Sequence, residues 1–146
     1  MKKVYVAGPW VFRPDAKEHA EHLRQLLLDA GFEALIPIDN ECDSSIQIKI
    51  ANITMIERCD YIIADITPFR GPSADVGTVF EIGFGFAVNK AVFPWSLDKS
   101  EYKTRVVPDG LHVEDFGLCD NLMIAACMPV QDSFEAAIKS AQRWDR

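Results

Sequence analysis

Glu81 is the residue whose sequence surroundings most favour chemistry. Gly77 and Gly85 stand four residues before and after it, and on a helix these positions lie one turn away on the same face. The carboxylate would therefore stand on a strip without side chains, where a ligand can approach it. Two glycines inside a helix cost about 2 kcal/mol relative to alanine, so a reason for them is expected. Close packing of the helix against a neighbour, with Glu81 merely solvated, explains the spacing equally well.

Two further residues could act together with this carboxylate. Asp75 stands where a helix N-cap is expected, shortly before Glu81. Two carboxylates in different surroundings can take different roles in one reaction, so that one attacks a substrate while the other positions it. Tyr5 lies near the end of the first apolar run, and a buried phenol needs a hydrogen-bond partner. Taken alone, such a tyrosine is more often an ordinary core residue.

Other kinds of site find little support in the sequence. The turn after the first apolar run, residues 8–13, contains neither the glycine fingerprint of dinucleotide-binding proteins nor a P-loop. No histidine stands at metal-ligand spacing and no C-x-x-C pair is present, so no metal site is expected. The cysteines are interpreted as buried thiols: Cys42, Cys59, Cys119 and Cys127.

Composition limits the class of protein. The 146 residues are 49% apolar and carry a formal charge of −7, which predicts one globular domain over residues 1–146. Binding to a nucleic acid polymer needs clustered Lys and Arg, and the sequence has no basic run. The apolar stretch at the start is too short for a signal peptide or a membrane span. We therefore expect a cytoplasmic protein with no membrane partner.

The apolar pattern predicts strands and helices in alternation. Short apolar runs typical of strands buried on both faces cover residues 3–7, 32–38, 61–66 and 91–95, with 122–130 as the candidate fifth strand. Apolar residues at helical spacing with start and stop signals cover residues 15–30, 46–59 and 76–89, and a closing helix follows over 134–141. The polar stretch 96–109 is predicted to be a mobile loop. Its charged part, residues 98–103, is interpreted as a solvated surface, with a lid over the site as the alternative.

This alternation predicts the architecture and the place of the site. Strands and helices with short connections form a doubly wound α/β sheet, here flavodoxin-like, with about five mostly parallel strands in the order 2-1-3-4-5. In such sheets the ligand binds beyond the carboxyl ends of the strands, near the switch in strand order. The rule selects the segments after strands one, three and four: residues 8–13, 67–75 and 96 onward.

At the candidate residues the sequence resembles the nucleoside 2-deoxyribosyltransferase family. The most specific element is D-x-G-T-x-x-E-x-G, which begins at Asp75 and includes Glu81. The other matching pieces are individually weak but follow the family's order over almost the whole chain. They are V-Y-V-A-G-P from residue 4, P-I-D-N-E from residue 37, Asn52, C-D-Y-I-I-A-D from residue 59 and F-G-L-C-D-N-L from residue 116.

The resemblance implies a reaction and a role for several residues. It implies exchange of the base between 2′-deoxynucleosides with retention of configuration, with Glu81 attacking C1′ to form a covalent deoxyribosyl ester. Tyr5 would orient this carboxylate, and Asp75 would contact the substrate. Asn121 matches an asparagine that binds the sugar 5′-hydroxyl and comes from a neighbouring subunit. The active unit would therefore be a homo-oligomer with shared active sites.

The resemblance also implies a substrate-binding set. Asn52 falls where some members carry Asp, and Glu41 falls where some carry Gln, so the choice between purines alone and a broader range of bases stays open. Trp10 and Phe12 lie on the loop where a base would sit. The partners would be small 2′-deoxynucleosides and free nucleobases, and no metal or organic cofactor is required. The substrate-binding candidates are Gly8, Phe12, Asp39, Glu41, Asn52 and Asn121.

The chemistry of the residues agrees with this reaction. Cleavage of an N-glycosidic bond passes through an oxocarbenium-like state that a nearby carboxylate can stabilise and then capture. The departing base must be protonated, by neutral Asp75 or by solvent, and the sequence leaves both open.

Two other functions compete with the transferase. A 2′-deoxynucleoside 5′-monophosphate N-hydrolase of the same fold would need phosphate donors after strand one, where this chain is bulky and apolar apart from Arg13. A non-catalytic nucleoside-binding module fits the fold but has little use for a nucleophile between two glycines. The sequence therefore favours the transferase.

Overall fold

The predicted alternation of strands and helices is present in the computed structural model, which describes residues 1–126 and 128–144. The strands are β1 Lys2–Ala7, β2 Phe32–Leu35, β3 Tyr61–Asp65 and β4 Ala91–Trp95. The helices are α1 Ala16–Asp29, α2 Ser45–Arg58, α3 Val76–Ala87, α4 Leu122–Ala125 and α5 Phe134–Trp144.

The four strands form a parallel sheet in the order β2-β1-β3-β4. The buried parts of the central strands, residues 4–7 and 61–64, are apolar because helices cover both of their faces. On one face, side chains such as Val4 and Ile63 pack with α1 and α5. On the other, Tyr5 and Ile62 pack with α2 and α3. This is the flavodoxin-like α/β fold that the sequence predicts, in a single domain with four strands.

The predicted fifth strand over residues 122–130 is wrong. Its first part is helix α4, which Asn121 caps by accepting a hydrogen bond from the Met123 N–H at 2.9 Å. Pro129 lacks the N–H that a strand interior needs. Beyond β4, the sheet continues only as one isolated parallel bridge between Trp95 and Gln131 in the part of the chain that the structure describes. A strong N-cap and a proline therefore outweigh the apolar character of this run.

Three smaller features differ from the sequence expectations. The second strand ends at Leu35, and a 3-10 turn over Pro37–Asp39 follows, because Pro37 has no N–H for the sheet. Trp10 is 5% exposed and belongs to the core, so its ring offers no face to a ligand. Of the cysteines, Cys59 is buried, Cys42 and Cys119 are half-buried, and Cys127 lies outside the described residues.

The predicted loop after β4 is mostly exposed, with a short 3-10 turn at Tyr102–Thr104. Among the described helices, none combines the length and the apolar character that crossing a membrane requires.

Candidate active site

The structure brings Tyr5, Glu81 and Asp75 together at one end of α3. The Tyr5 hydroxyl, carried by the buried strand β1, donates a hydrogen bond to Oε2 of Glu81. Asp75 caps α3 by accepting hydrogen bonds from the N–H and the hydroxyl of Thr78, both at 3.0 Å. Two carboxylates and a phenol therefore converge from β1 and α3, although Tyr5 and Glu81 are 76 positions apart in the chain.

The surroundings of Glu81 shift its pKa upward. Burial is the largest cause and raises the pKa to about 7, the Tyr5 hydrogen bond opposes this shift, and the charge of Asp75 adds to it. Burial and the neighbouring Glu81 charge raise the pKa of Tyr5 far above its usual range. The phenol is therefore a hydrogen-bond donor at every working pH, and the carboxylate titrates near neutrality, as expected of a catalytic group.

A cavity of about 710 Å³ opens beside this carboxylate. Its walls come from α2, the start of α3 and the turns after β1 and β2, and its lining is mostly apolar. The cavity lies at the switch in strand order between β1 and β3, as predicted. The selection of segments was only partly right: residues 8–13 and Asp75 contribute to the lining, but no described residue from 96 onward does, and the turn after β2 takes that place. Five of the predicted site residues line the cavity: Gly8, Phe12, Asn52, Asp75 and Glu81.

The remaining predicted residues lie outside the cavity lining. Tyr5 is fully buried behind Glu81. Asp39 is exposed and accepts two hydrogen bonds of 2.7 Å from the guanidinium of Arg24. Glu41 is exposed between two residues that do line the cavity. Asn121 caps α4 and donates a hydrogen bond to Glu114, so the structure does not bring it to the cavity of its own chain.

The two glycines around Glu81 have different roles. A Cβ on Gly85 would overlap Cδ1 of Ile62, so this glycine lets α3 pack against β3. A Cβ on Gly77 would lie 3.3 Å from Oδ2 of Asp75, and Gly77 lines the cavity. Gly85 is therefore explained by close packing of α3 on the sheet, whereas Gly77 leaves room for a ligand beside Glu81.

The cavity wall also includes Lys49, which sequence reasoning did not select, beside the predicted Asn52. The ammonium of Lys49 lies 5.2 Å from the centre of the Phe80 ring. Lys49 precedes Asn52 by one helical turn, and this spacing was the available signal. The Oδ1 atom of Asn52 is shielded from water and has no hydrogen-bond partner among the described residues. The wall formed by α2 therefore offers a cation and an amide to a ligand.

Aromatic side chains stand at the mouth of the cavity. Phe12 lines it and stacks on Phe69 with ring centres 5.6 Å apart. The guanidinium of Arg70 lies 5.1 Å from the Phe12 ring and 4.6 Å from the Phe69 ring. Phe12 is 56% exposed, so it presents a flat apolar surface where a ligand would enter. No group of three or more His, Cys, Asp or Glu side chains suited to a metal ion occurs in the described ranges.

Comparison with known proteins identifies the family. The model of the nucleoside 2-deoxyribosyltransferase family matches residues 4–123. The chain belongs to this family. A solved structure of a 2-desoxiribosyltransferase from Leishmania mexicana is 40% identical with a TM-score of 0.90, over 98% of both chains. The resemblance seen in the sequence is thereby confirmed, as is the fold.

Two further relatives are more distant. An uncharacterized protein of Schizosaccharomyces pombe is 32% identical over 113 residues, which are 70% of this chain and 54% of that protein. The chain therefore spans about half the length of this curated relative. A CMP N-glycosidase from Clostridium botulinum is 26% identical with a TM-score of 0.50, over 65% of this chain and 71% of its own. A deoxyribosyltransferase and an N-glycosidase thus share this fold.

Proposed function

We propose that the protein transfers the 2-deoxyribosyl group between nucleobases through a covalent intermediate on Glu81. The observation that carries the proposal is the buried carboxylate of Glu81, held by the Tyr5 hydroxyl at the wall of a cavity with room for a nucleoside. Family membership and the Leishmania mexicana relative support the same reaction. The protein would thus serve nucleoside salvage.

The first half-reaction cleaves the donor nucleoside. The bond between C1′ and the base nitrogen breaks with its electron pair going to the base, which takes up a proton from Asp75 or from solvent as it leaves. A carboxylate oxygen of Glu81 forms the new bond to C1′. Tyr5 donates to Oε2 and fixes the orientation of the carboxylate. The absence of a 2′-hydroxyl eases this step, since that group withdraws electrons from the developing cation.

The second half-reaction reverses the first with another base. A nitrogen of the acceptor base attacks C1′ and gives up its proton to Asp75 or to solvent. The ester bond to Glu81 breaks with its electron pair going to the carboxylate, which is thereby regenerated. Two inversions at C1′ give net retention, as in retaining glycosidases. Asp75 would contact the sugar beside Glu81. Phe12 and Asn52 would contact the base, because both line the cavity.

The binding set that lies outside the cavity completes the proposal. Asn121 would serve the sugar of a neighbouring subunit, so the working unit is a homo-oligomer with shared sites. This assignment is supported by the resemblance and by the position of Asn121 at the start of α4, outside the lining of its own cavity. Glu41 would contribute at the rim, whereas Asp39, which Arg24 holds outside the cavity lining, would contribute little.

The alternative is hydrolysis of a 2′-deoxynucleoside 5′-monophosphate, with water in place of the acceptor base. The Clostridium botulinum relative and the Lys49 ammonium in the cavity wall favour it. Against it, the turn after β1 offers little to a phosphate. Its cation, Arg13, is already engaged with both carboxylate oxygens of Asp15, at 2.8 and 3.0 Å.

Product analysis distinguishes these reactions. The purified protein is incubated with 2′-deoxyinosine or 2′-deoxycytidine, with and without adenine, and with a 2′-deoxynucleoside 5′-monophosphate. We expect new deoxyadenosine only when adenine is present, and a loss of at least about 1,000-fold in Glu81→Gln and Glu81→Ala. Glu33→Gln, which changes an exposed glutamate, is the matched control and keeps full activity.

The intermediate is tested directly by mass spectrometry. Acid quenching without acceptor should leave one deoxyribosyl group on the peptide that contains Glu81. Release of base from the monophosphate alone would replace the transferase with the hydrolase. No reaction in any mixture would favour the non-catalytic binding module.

A further inference from the structure

Asp120 is a buried carboxylate that the proposed mechanism does not use. It is 1% exposed and lies outside the cavity. Its Oδ1 atom accepts hydrogen bonds from the Ser73 hydroxyl at 2.5 Å and from the Asn121 N–H at 2.7 Å, and Oδ2 accepts from the Ala74 N–H at 2.9 Å. No ion pair to Asp120 forms among the described residues. Burying an ionised carboxylate is unfavourable unless hydrogen bonds compensate for the lost hydration, and the three donors provide this compensation. Such an arrangement indicates that the carboxylate holds specific segments in place.

The donors come from two segments that are far apart in the chain. Ser73 and Ala74 immediately precede Asp75, the N-cap of α3. Asn121 immediately follows Asp120 and caps α4. The single carboxylate thus ties the start of the helix that carries Glu81 to the segment that contains Asn121.

Arg105 ties the same two segments a second time. Its Nε donates to the carbonyl oxygen of Pro72 at 3.1 Å, and its guanidinium also donates to the carbonyl oxygen of Cys119. Another guanidinium nitrogen donates to the carbonyl oxygen of Ser100 at 2.6 Å. The turn before Asp75 is therefore held twice by residues that follow β4 in the chain.

We propose that Asp120 is a positioning residue of the proposed transfer and acts through Asp75, an inference that rests on the proposed function. Asp75 contacts substrate only if the turn at Ser73 and Ala74 keeps its place. Besides the bonds to Asp120 and from Arg105, the turn contains a hydrogen bond from the Phe69 N–H to the Ser73 carbonyl oxygen, at 3.0 Å. Small displacements of groups that position a substrate can reduce rates by about 100-fold.

The substitution Asp120→Asn tests this role. An amide oxygen accepts hydrogen bonds but the amide NH2 does not, so at least one of the three donors loses its acceptor. We expect kcat to fall by about 10- to 100-fold, while KM changes by less than about threefold, since the cavity-lining residues other than Asp75 remain in place. Asp115→Asn is the matched control, because Asp115 is exposed and pairs with Lys103; its kcat should be unchanged.

A second variant keeps the test valid if Asp120→Asn does not fold. Ser73→Ala removes one donor and leaves the two backbone N–H groups on the carboxylate. A smaller fall in kcat in the same direction is expected. Wild-type kcat in Ser73→Ala, or in a folded Asp120→Asn, would overturn the inference while leaving the proposed function intact.

A double-mutant cycle separates positioning from general support of the fold. In an Asp75→Asn background, Asp120→Asn should lower kcat by less than about threefold more, because the group through which it acts is already lost. Losses that multiply would overturn the inference, since Asp120 would then act independently of Asp75. An inactive wild type would overturn the proposed function together with this inference.

Discussion

Replacing Tyr5 with phenylalanine tests the balance that sets the pKa of Glu81. Burial raises this pKa to about 7, and the Tyr5 hydrogen bond is the interaction that lowers it. Phenylalanine keeps the ring in the core and removes the donor. A hydrogen bond to a charged group contributes about 1.5 to 3 kcal/mol, and about 1.4 kcal/mol corresponds to one pKa unit. We therefore expect the pKa of Glu81 to rise by about one to two units.

The pH dependence of kcat/KM measures this shift in the free enzyme. Glu81 attacks as the carboxylate, so activity increases as the pH rises through its pKa. In the wild type, the acid limb should have its midpoint near pH 7, and in Tyr5→Phe it should move upward. Asp75→Asn should move it downward, because the charge of Asp75 raises the pKa of Glu81. Tyr102→Phe removes a half-buried phenol elsewhere and is the control.

The position of the limb is informative even if the maximal rate also falls. An acid limb that stays near pH 7 in Tyr5→Phe, or that moves to lower pH, would refute the view that this hydroxyl stabilises the Glu81 carboxylate. If the acid limb moved in the same direction in Tyr5→Phe and in Asp75→Asn, the opposite effects assigned to these two residues on the pKa of Glu81 would be refuted as well.

Three further predictions concern stability and the rim of the site. Gly85→Ala should destabilise the fold by about 1 to 3 kcal/mol, because its Cβ would overlap Ile62. Gly83→Ala, whose Cβ would lie in open space, should stabilise the fold by up to about 1 kcal/mol. Denaturant unfolding measures both free energies, and a Gly83→Ala variant less stable than Gly85→Ala would contradict the packing explanation. Burial raises the pKa of Glu81 from 4.5 to about 7, so ionised Glu81 destabilises the folded state; this penalty is absent below about pH 4.5 and complete above about pH 7. Glu81→Gln should therefore raise the free energy of unfolding by about 3 kcal/mol at pH 8 but not at pH 4. An effect of the same size at both pH values would exclude this cause. Asp39→Asn should change kcat/KM by less than about threefold, because Arg24 holds this carboxylate outside the cavity lining; a loss beyond about tenfold would assign it to substrate.

The elements could be predicted where local pattern and tertiary environment agree. β1 and β3 are continuous apolar runs because helices cover both faces of the sheet. Residues 122–130 are also apolar, yet local hydrogen bonding decided against a strand, through the Asn121 cap and Pro129. Among the described residues of this run only Ala125 is buried. An apolar run that is mostly outside the core and a strand buried in the sheet can have the same composition, so composition alone could not separate them.

The sequence by itself determined the family, the alternation of strands and helices, the order of the first four strands, and Glu81 with Asp75 on one helix. These follow from local spacing and from motifs. Only the tertiary structure decided which groups meet. It brought Tyr5 to Glu81, buried Trp10, turned Asp39 toward Arg24 and gave Gly77 and Gly85 different roles. The physical reason is that contacts and burial depend on how elements distant in the chain pack, which no local pattern records.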